Sequence, residues 1–385
     1  MKMLIRNGDV LLGSGFARQD LAVGDAGISF SVKDPESGCT VLDATGCLVL
    51  PGIVDIHGDA FERQIMPRPG VSFPLEMALV ETDRQLAANG ITTAYHGVTW
   101  SWEPGLRGAE SARALLETLE ALRDRLAVDT RFHLRHEIFN LAAEPEIARW
   151  LAAGRIGVLA FNDHMMGVVK TATEKKSKIA RMVERTGLDE AEFLSLVADV
   201  WARRDEVSAS VERLAAHAVA AGVPILSHDD RDAADRRMFR ALGSRIAEFP
   251  MTIGAAEDAG SAGEAIVFGA PNVVRGGSHT GCPAAEDMIK AGLCTILASD
   301  YYYPAMAQAA CRLVISKSLS LADAWALIST NPARALGHDD RGVIAEGKRA
   351  DLVIARQHAS HIEILTTIAD GAIAFHADGR RLAVA

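Results

Sequence analysis

Histidines and carboxylates recur along this 385-residue chain in short clusters, most of them closing an apolar run. His57-Gly58-Asp59 follows LPGIVDI, His96 follows ITTAY, and Arg135-His136-Glu137 follows RFHL. Asn162-Asp163-His164 follows VLAF, His228-Asp229-Asp230 follows VPILS, Glu248 sits in RIAEF, and Ser299-Asp300 follows CTILA. Arg275 and His279 come just after AIVFGAPNVV. A single histidine is most simply a hydrogen-bonded structural residue. Six or more apolar segments that each deliver an imidazole or a carboxylate are harder to explain by packing. Brought together unpaired, such groups are costly to bury. A divalent cation relieves that cost, because it neutralises carboxylates and accepts imidazole lone pairs. The chemistry it brings is hydrolysis, since it lowers the pKa of bound water towards ~7. His57 and Asp59 are two positions apart, so one strand would present both on the same face.

The elements that must position these residues alternate in type. Eight apolar segments read as strands: LPGIVDIHGD, ITTAYHGV, RFHLRHEIF, IGVLAFNDH, VPILSHDD, RIAEFPMT, AIVFGAPNVV and CTILASDYY. Helical periodicity lies between most of them. Phe193, Leu196, Val197, Val200 and Trp201 recur at i, i+3, i+4, i+7 and i+8. Val211, Leu214, Ala215, Ala218 and Val219 repeat the pattern, with Gly222 as the stop. Eight near-continuous apolar strands with crossovers predict an α/β fold, a parallel (β/α)₈ barrel of the TIM type, whose active sites form at the C-terminal strand ends. No GxGxxG follows the first strand, which disfavours a dinucleotide-binding open sheet. The charged stretch 165–207 reads as a helical insertion near the active face. Residues 1–50 and 340–385 read instead as short strands and turns, predicting one small β-sandwich domain built from both chain ends, around a barrel of 51–339.

Composition narrows the function. Hydrophobic residues make up 49% and charged residues 23%, as in a packed globule. The net charge of −10 argues against nucleic acid and anionic membranes as partners. Five cysteines without a CxxC predict neither a disulfide framework nor a thiolate zinc site. No signal peptide and no membrane span are visible, so a cytoplasmic location is expected, with a homo-oligomer left open. Arg63, Arg68 and Arg275 are candidate phosphate clamps, because guanidinium forks pair with phosphate oxygens. Gly276 and Gly277 would let backbone N–H groups approach the same anion. His279, beside them, is a candidate substrate contact, ligand or acid.

LPGIVDIHGD near residue 50, followed by ASD, NPARALG and GVIAEGKRADLVI, resembles the amidohydrolase superfamily over essentially the whole chain. The resemblance implies a metal-dependent hydrolase on a β/α barrel with a sandwich made from both chain ends. PRPGVSFP, GITTAYHGV, SHDD, LGSRIAEFP, GAPNVVRGGSHTG and ASDYYYP are more specifically similar to the α-D-ribose 1-methylphosphonate 5-triphosphate diphosphatases of phosphonate metabolism. That likeness implies a phosphorylated small-molecule substrate and release of pyrophosphate. It also implies one or two divalent cations, zinc or manganese, on His57, Asp59, Glu137, His164 and His228, with Asp300 as general base. Two departures stand at the expected active face. This chain reads HGDA (His57 to Ala60) where such relatives usually read HTDN, and DHMMGVVKTA where they carry a DH-PGQ-type stretch. The alternative is a C–N hydrolase of the same superfamily, an amidase, cyclic-amide hydrolase or deaminase, using the same activated water.

Overall fold

The computed structural model describes residues 2–32, 35, 37–68, 70–174, 183, 186–278 and 281–384. Eight parallel strands follow one another in chain order across one sheet. They are Ile53–Gly58, Ile91–Trp100, Asp129–Glu137, Val158–Asn162, Ile225–His228, Ile246–Glu248, Ala265–Gly269 and Ile296–Ala298. The first two are buried at every position, as strands covered on both faces must be. The sheet closes between its last and first strands. Asp300 N–H donates to the His57 carbonyl at 2.9 Å, and Asp59 N–H donates to the Asp300 carbonyl at 2.9 Å. Asp55 locks this seam from within, accepting from Ser299 N–H at 3.0 Å and Ser299 Oγ at 2.6 Å. The predicted barrel is therefore present, and its closure runs through three of the residues singled out for chemistry, His57, Asp59 and Asp300.

A separate nine-stranded sheet is drawn from both chain ends. Met3–Leu12 pairs antiparallel with Gly15–Gly24, and Leu48–Pro51 pairs antiparallel with Leu352–Gln357. Trp325, fully buried, donates its Nε1–H to the Pro51 carbonyl at 2.9 Å where this sheet hands over to the barrel. Among the described residues between strands four and five, three helices run over Met165–Glu174, Glu190–Ala202 and Val207–Ala220. A capping box starts the second of these, with Asp189 and Glu192 satisfying each other's backbone N–H groups. Phe193 and Trp201 then pack on Trp102 and Phe139. Those two partners follow strands two and three, so the insertion sits over the C-terminal strand ends.

Candidate metal centre

Three short turns build the barrel mouth. Asp229 and Phe249 directly follow strands five and six, Asp300 comes one residue after strand eight, and all three adopt left-handed backbone, with φ of 62°, 54° and 54°. Non-glycine residues held this way cost on the order of 1 kcal/mol or more each and cluster where function demands a sharp turn. The turns swing Asp229 and Asp300 back over the barrel axis. Phe249 packs edge-on against both His57 and His228, with ring centroids 5.0 and 5.4 Å apart.

Three overlapping groups result, and besides the two described next, His57, His228 and Glu248 also bring ligand atoms within 4.8 Å of one another. In the first, ligand atoms of His57, Asp59 and Asp300 lie within 4.8 Å of one another. His57 Nδ1 is 2.8 Å from Glu248 Oε1, deep in the barrel. Such an outer carboxylate fixes the tautomer, leaving Nε2 as the lone-pair nitrogen. Nε2 lies against Gly97, where a Cβ would come to 3.2 Å from it. Burial, helped by the charge of Arg135, holds the His57 imidazole well below its ordinary pKa, which keeps it a neutral ligand. Burial and the facing Asp59 carboxylate push Asp300 up to about 7. The pair is thus short of positive charge, and a divalent cation fits the donor set and the deficit alike.

In the second constellation, His164, His228 and Asp229 meet the same distance criterion. Here the charges are already matched. His164 Nδ1 lies 2.5 Å from Glu137 Oε1, and Nε2 lies 3.5 Å from Asp229 Oδ2. Against the opposing effect of burial, bonds to Asp229 and Glu137 raise His164 to about 9. Arg135, buried between the two groups, reaches Asp59 Oδ2 at 3.5 Å through Nη1 and His228 Nε2 at 3.0 Å through Nη2.

A profile of the amidohydrolase family matches residues 48–374, most of the chain. The chain belongs to the amidohydrolase family. It is 32% identical to the α-D-ribose 1-methylphosphonate 5-triphosphate diphosphatase of Escherichia coli K12 over 373 residues, covering 94% of this chain and 97% of that one. A D-phenylhydantoinase of E. coli O1:K1 is 42% identical over only 60 residues, 15% of this chain and 13% of the relative. Among solved structures, dihydropyrimidinase from Brevibacillus agri aligns with a TM-score of 0.64 at 15% identity, over 98% and 95% of the two chains. The 5-methylcytosine deaminase of Klebsiella pneumoniae aligns at 0.61 and 16%, over 98% of both. At those identities the likeness is one of fold.

In this amidohydrolase, the expected site residues scatter more than their spacing suggested. His57, Asp59, Glu137, His164, His228 and Asp300 all converge on the mouth. Asp59, however, lies just beyond the strand, and its backbone bond to Asp300 aims it rather than strand alternation. Strand two runs on past His96 to Trp100, and His96 packs on Phe61, outside the site. Gly276 and Gly277 form no anion cradle. Both donate their N–H groups to the Asn272 carbonyl, at 3.1 and 3.0 Å, and Gly276 caps helix Ala270–Arg275 in the left-handed region, with φ 80°. The sequence signal for a phosphate loop is the signal of a helix C-terminus, whose dipole end repels anions. Arg275 reaches Tyr301 Oη at 3.5 Å, and Arg63 sits over the same ring, 5.7 Å from its centroid. Tyr301 itself lines a cavity of about 210 Å³ with His57, Arg135, His228 and Asp300. Arg68 is exposed and bridges to Val71 in a turn of its own. His279 lies outside the described residues.

The larger cavity, about 1160 Å³, is a cleft between the loop after strand two and the insertion, edged by Glu103, Glu110, Glu192 and Asp199. It holds none of the centre's residues, and its acidic edge suits an anion poorly. Arg135, Asp229 and Glu248 carry as much of the centre as the residues expected there. Each ends or adjoins a strand, the only mark that sets it apart in the sequence. Gly58 has no room for a side chain. A Cβ there would come within 2.9 Å of Asp55, Ser299 and Tyr303.

Proposed function

We propose that this amidohydrolase cleaves a phosphoanhydride, releasing pyrophosphate from α-D-ribose 1-methylphosphonate 5-triphosphate or a close analogue. The observation that carries the reading is the 32% identity to a diphosphatase along nearly the full length of both chains. The C–N hydrolases among the solved structures share only the fold. His57 Nε2, Asp59 and Asp300 would hold a divalent cation, zinc or manganese by donor type. When bound, that cation would polarise a phosphoryl oxygen and acidify water.

The protein's own side chains account for the rest. One Asp300 oxygen takes the proton of the attacking water, as a carboxylate close to neutral range can. The water oxygen bonds to the α-phosphorus, the bond from that phosphorus to the bridging oxygen breaks, and pyrophosphate leaves with the electron pair. Arg135 faces the non-bridging oxygens from within the pocket, and Arg63 and Arg275, both against Tyr301, meet the outer phosphates at the mouth. Positive side chains there stabilise charge spread over equatorial oxygens. Phosphorus NMR of purified protein with the ribose triphosphate and ATP, and proton NMR of the same protein with dihydrouracil, separate the readings. Pyrophosphate from the ribose triphosphate supports the proposal. Ring opening of dihydrouracil with inert triphosphates replaces it with a C–N hydrolase.

A further inference from the structure

Among the described residues, six other than glycine hold a positive φ, and Phe249 is the costly one. Asn7, Asp229, Asp300 and Asp370 have short polar side chains that tolerate this backbone. Lys317 stands just past the end of helix Ala305–Ile315, where left-handed backbone is common. A bulky phenylalanine at φ 54° is an outlier. Pro250 follows it, and a residue before proline is ordinarily pushed to extended backbone with negative φ. Glycine would meet this turn without strain. The backbone therefore gives no reason for the phenyl ring, and the reason lies in what the ring touches.

The turn is pinned to its neighbours on both sides. Phe249 N–H donates to the Val267 carbonyl at 3.0 Å, and Met251 N–H donates to the Asp230 carbonyl at 2.9 Å. The ring so placed closes a triangle with two imidazoles. Its centroid is 5.0 Å from that of His57 and 5.4 Å from that of His228, which are themselves 5.4 Å apart. Its plane stands at 75° and 81° to theirs. Each imidazole is hydrogen-bonded at one nitrogen, His57 Nδ1 with Glu248 at 2.8 Å and His228 Nε2 with Arg135 at 3.0 Å. One such bond fixes one atom and leaves the tilt of the ring about it. Packing against a third ring fixes that tilt. His133 lies against His57 and His164 against His228, whereas Phe249 lies against both.

We infer that Phe249 is a positioning residue for hydrolysis at this mouth: its ring sets the tilt of His57 and His228, and the strained turn is kept to hold it there. It lines the mouth cavity beside both imidazoles, Arg135 and Asp300. The inference rests on hydrolysis taking place at this mouth and holds for either electrophile.

Three variants and two readouts test it. Phe249→Gly suits the backbone and removes the ring, Phe249→Leu keeps apolar bulk without the ring, and Phe249→Tyr keeps the ring. Misplacement by about 1 Å can cost ~10²-fold in rate, so pyrophosphate release from the ribose triphosphate should show kcat at least ~10-fold lower in the glycine and leucine variants. KM should stay nearly constant, and Phe249→Tyr should recover most of the loss. Long-range nitrogen–proton spectra of histidine-labelled protein, with His57 and His228 assigned from their glutamine variants, supply the second readout. Both signals should move or broaden in Phe249→Gly and Phe249→Leu and stay close to wild type in Phe249→Tyr. That readout needs no substrate, so a wild type inert towards the ribose triphosphate sinks the proposed function and leaves this inference to be judged by the spectra. Wild-type kcat with unmoved histidine signals in Phe249→Leu makes the ring a filler and overturns the inference, even if Phe249→Gly does not fold. A rise in KM at constant kcat overturns it too, because it marks a substrate contact instead.

Discussion

The two ends of the barrel use the same residue types to opposite effect. At the floor, Asp129 begins strand three between two arginines. Arg341 Nη1 donates to its Oδ2 at 2.6 Å and to Thr93 Oγ1 at 2.9 Å, and Arg131 grips it with Nε and Nη2. Although burial opposes it, this pairing holds Asp129 down to about 2. At the mouth, Asp300 faces Asp59 with only the longer reach of Arg135 between them, and stands near 7. A paired carboxylate contributes stability, whereas an underpaired one stores electrostatic cost that a ligand can relieve. The floor ties barrel to terminal sheet, while the mouth is held ready for charge from outside.

Four measurements would break or sharpen this contrast. The largest effect is expected at Asp300. Asp300→Asn should lower kcat by at least ~10²-fold, the low end for a general base, while the metal-free protein melts at the same temperature or higher. Wild-type turnover, or a marked loss of melting temperature, would erase the distinction between the ends. Arg341→Met should act in reverse. Removing a partner of a largely buried pair destabilises the fold by about 2–4 kcal/mol, read as a shifted denaturation midpoint, with kcat unchanged at temperatures where the chain stays folded.

Acid should weaken the floor in two stages. Burial, with Arg341 and Arg131 nearby, lowers His338 from 6.5 to about 4. The unfolded chain therefore takes up this proton first, and stability falls as pH drops from about 6.5 towards 4. His96 and His136, also pushed to about 4 by burial, add to that slope. Asp129 is depressed instead, so its contribution persists above about 3.8 and is lost only as pH falls towards 2. Denaturant titrations from pH 7 to 3 should show the first stage, and His338→Gln should make it shallower. An unchanged slope in that variant would remove His338 from the account. The smallest effect belongs to the rim. Tyr301→Phe deletes the hydroxyl near Arg275 and keeps the ring under Arg63, so KM for a triphosphate should rise only about 2- to 5-fold, the size of one weak hydrogen bond, with kcat unaltered. A large fall in kcat would place Tyr301 among the reacting groups.

Much of the mouth is legible in the sequence because most barrel strands are largely apolar until they end. A polar residue closing such a run is conspicuous, which is how His57, Glu137, His164, His228 and Asp300 stand out. Arg135 and Glu248 are equally central but carry no such distinction, since an arginine or glutamate at a strand end is ordinary until its partner across the barrel is known. The Gly276-Gly277 pair misled for a related reason. Glycine signals left-handed or close-approach backbone, and only the Asn272 carbonyl shows that the need here is a helix cap.

Local pattern alone determined the kinds of element, their order, the barrel with its sheet from both chain ends, and the chemical character of the mouth. Periodicity and apolar runs encode those through interactions a few residues long. Only the tertiary structure decided which imidazoles meet which carboxylates, and that Arg135 stands between Asp59 and His228. Those properties depend on atoms about 3 Å apart contributed by residues far apart in the chain, 244 positions for Asp55 with Ser299 and 93 for Arg135 with His228. Short-range pattern carries no information about such meetings until the barrel has closed.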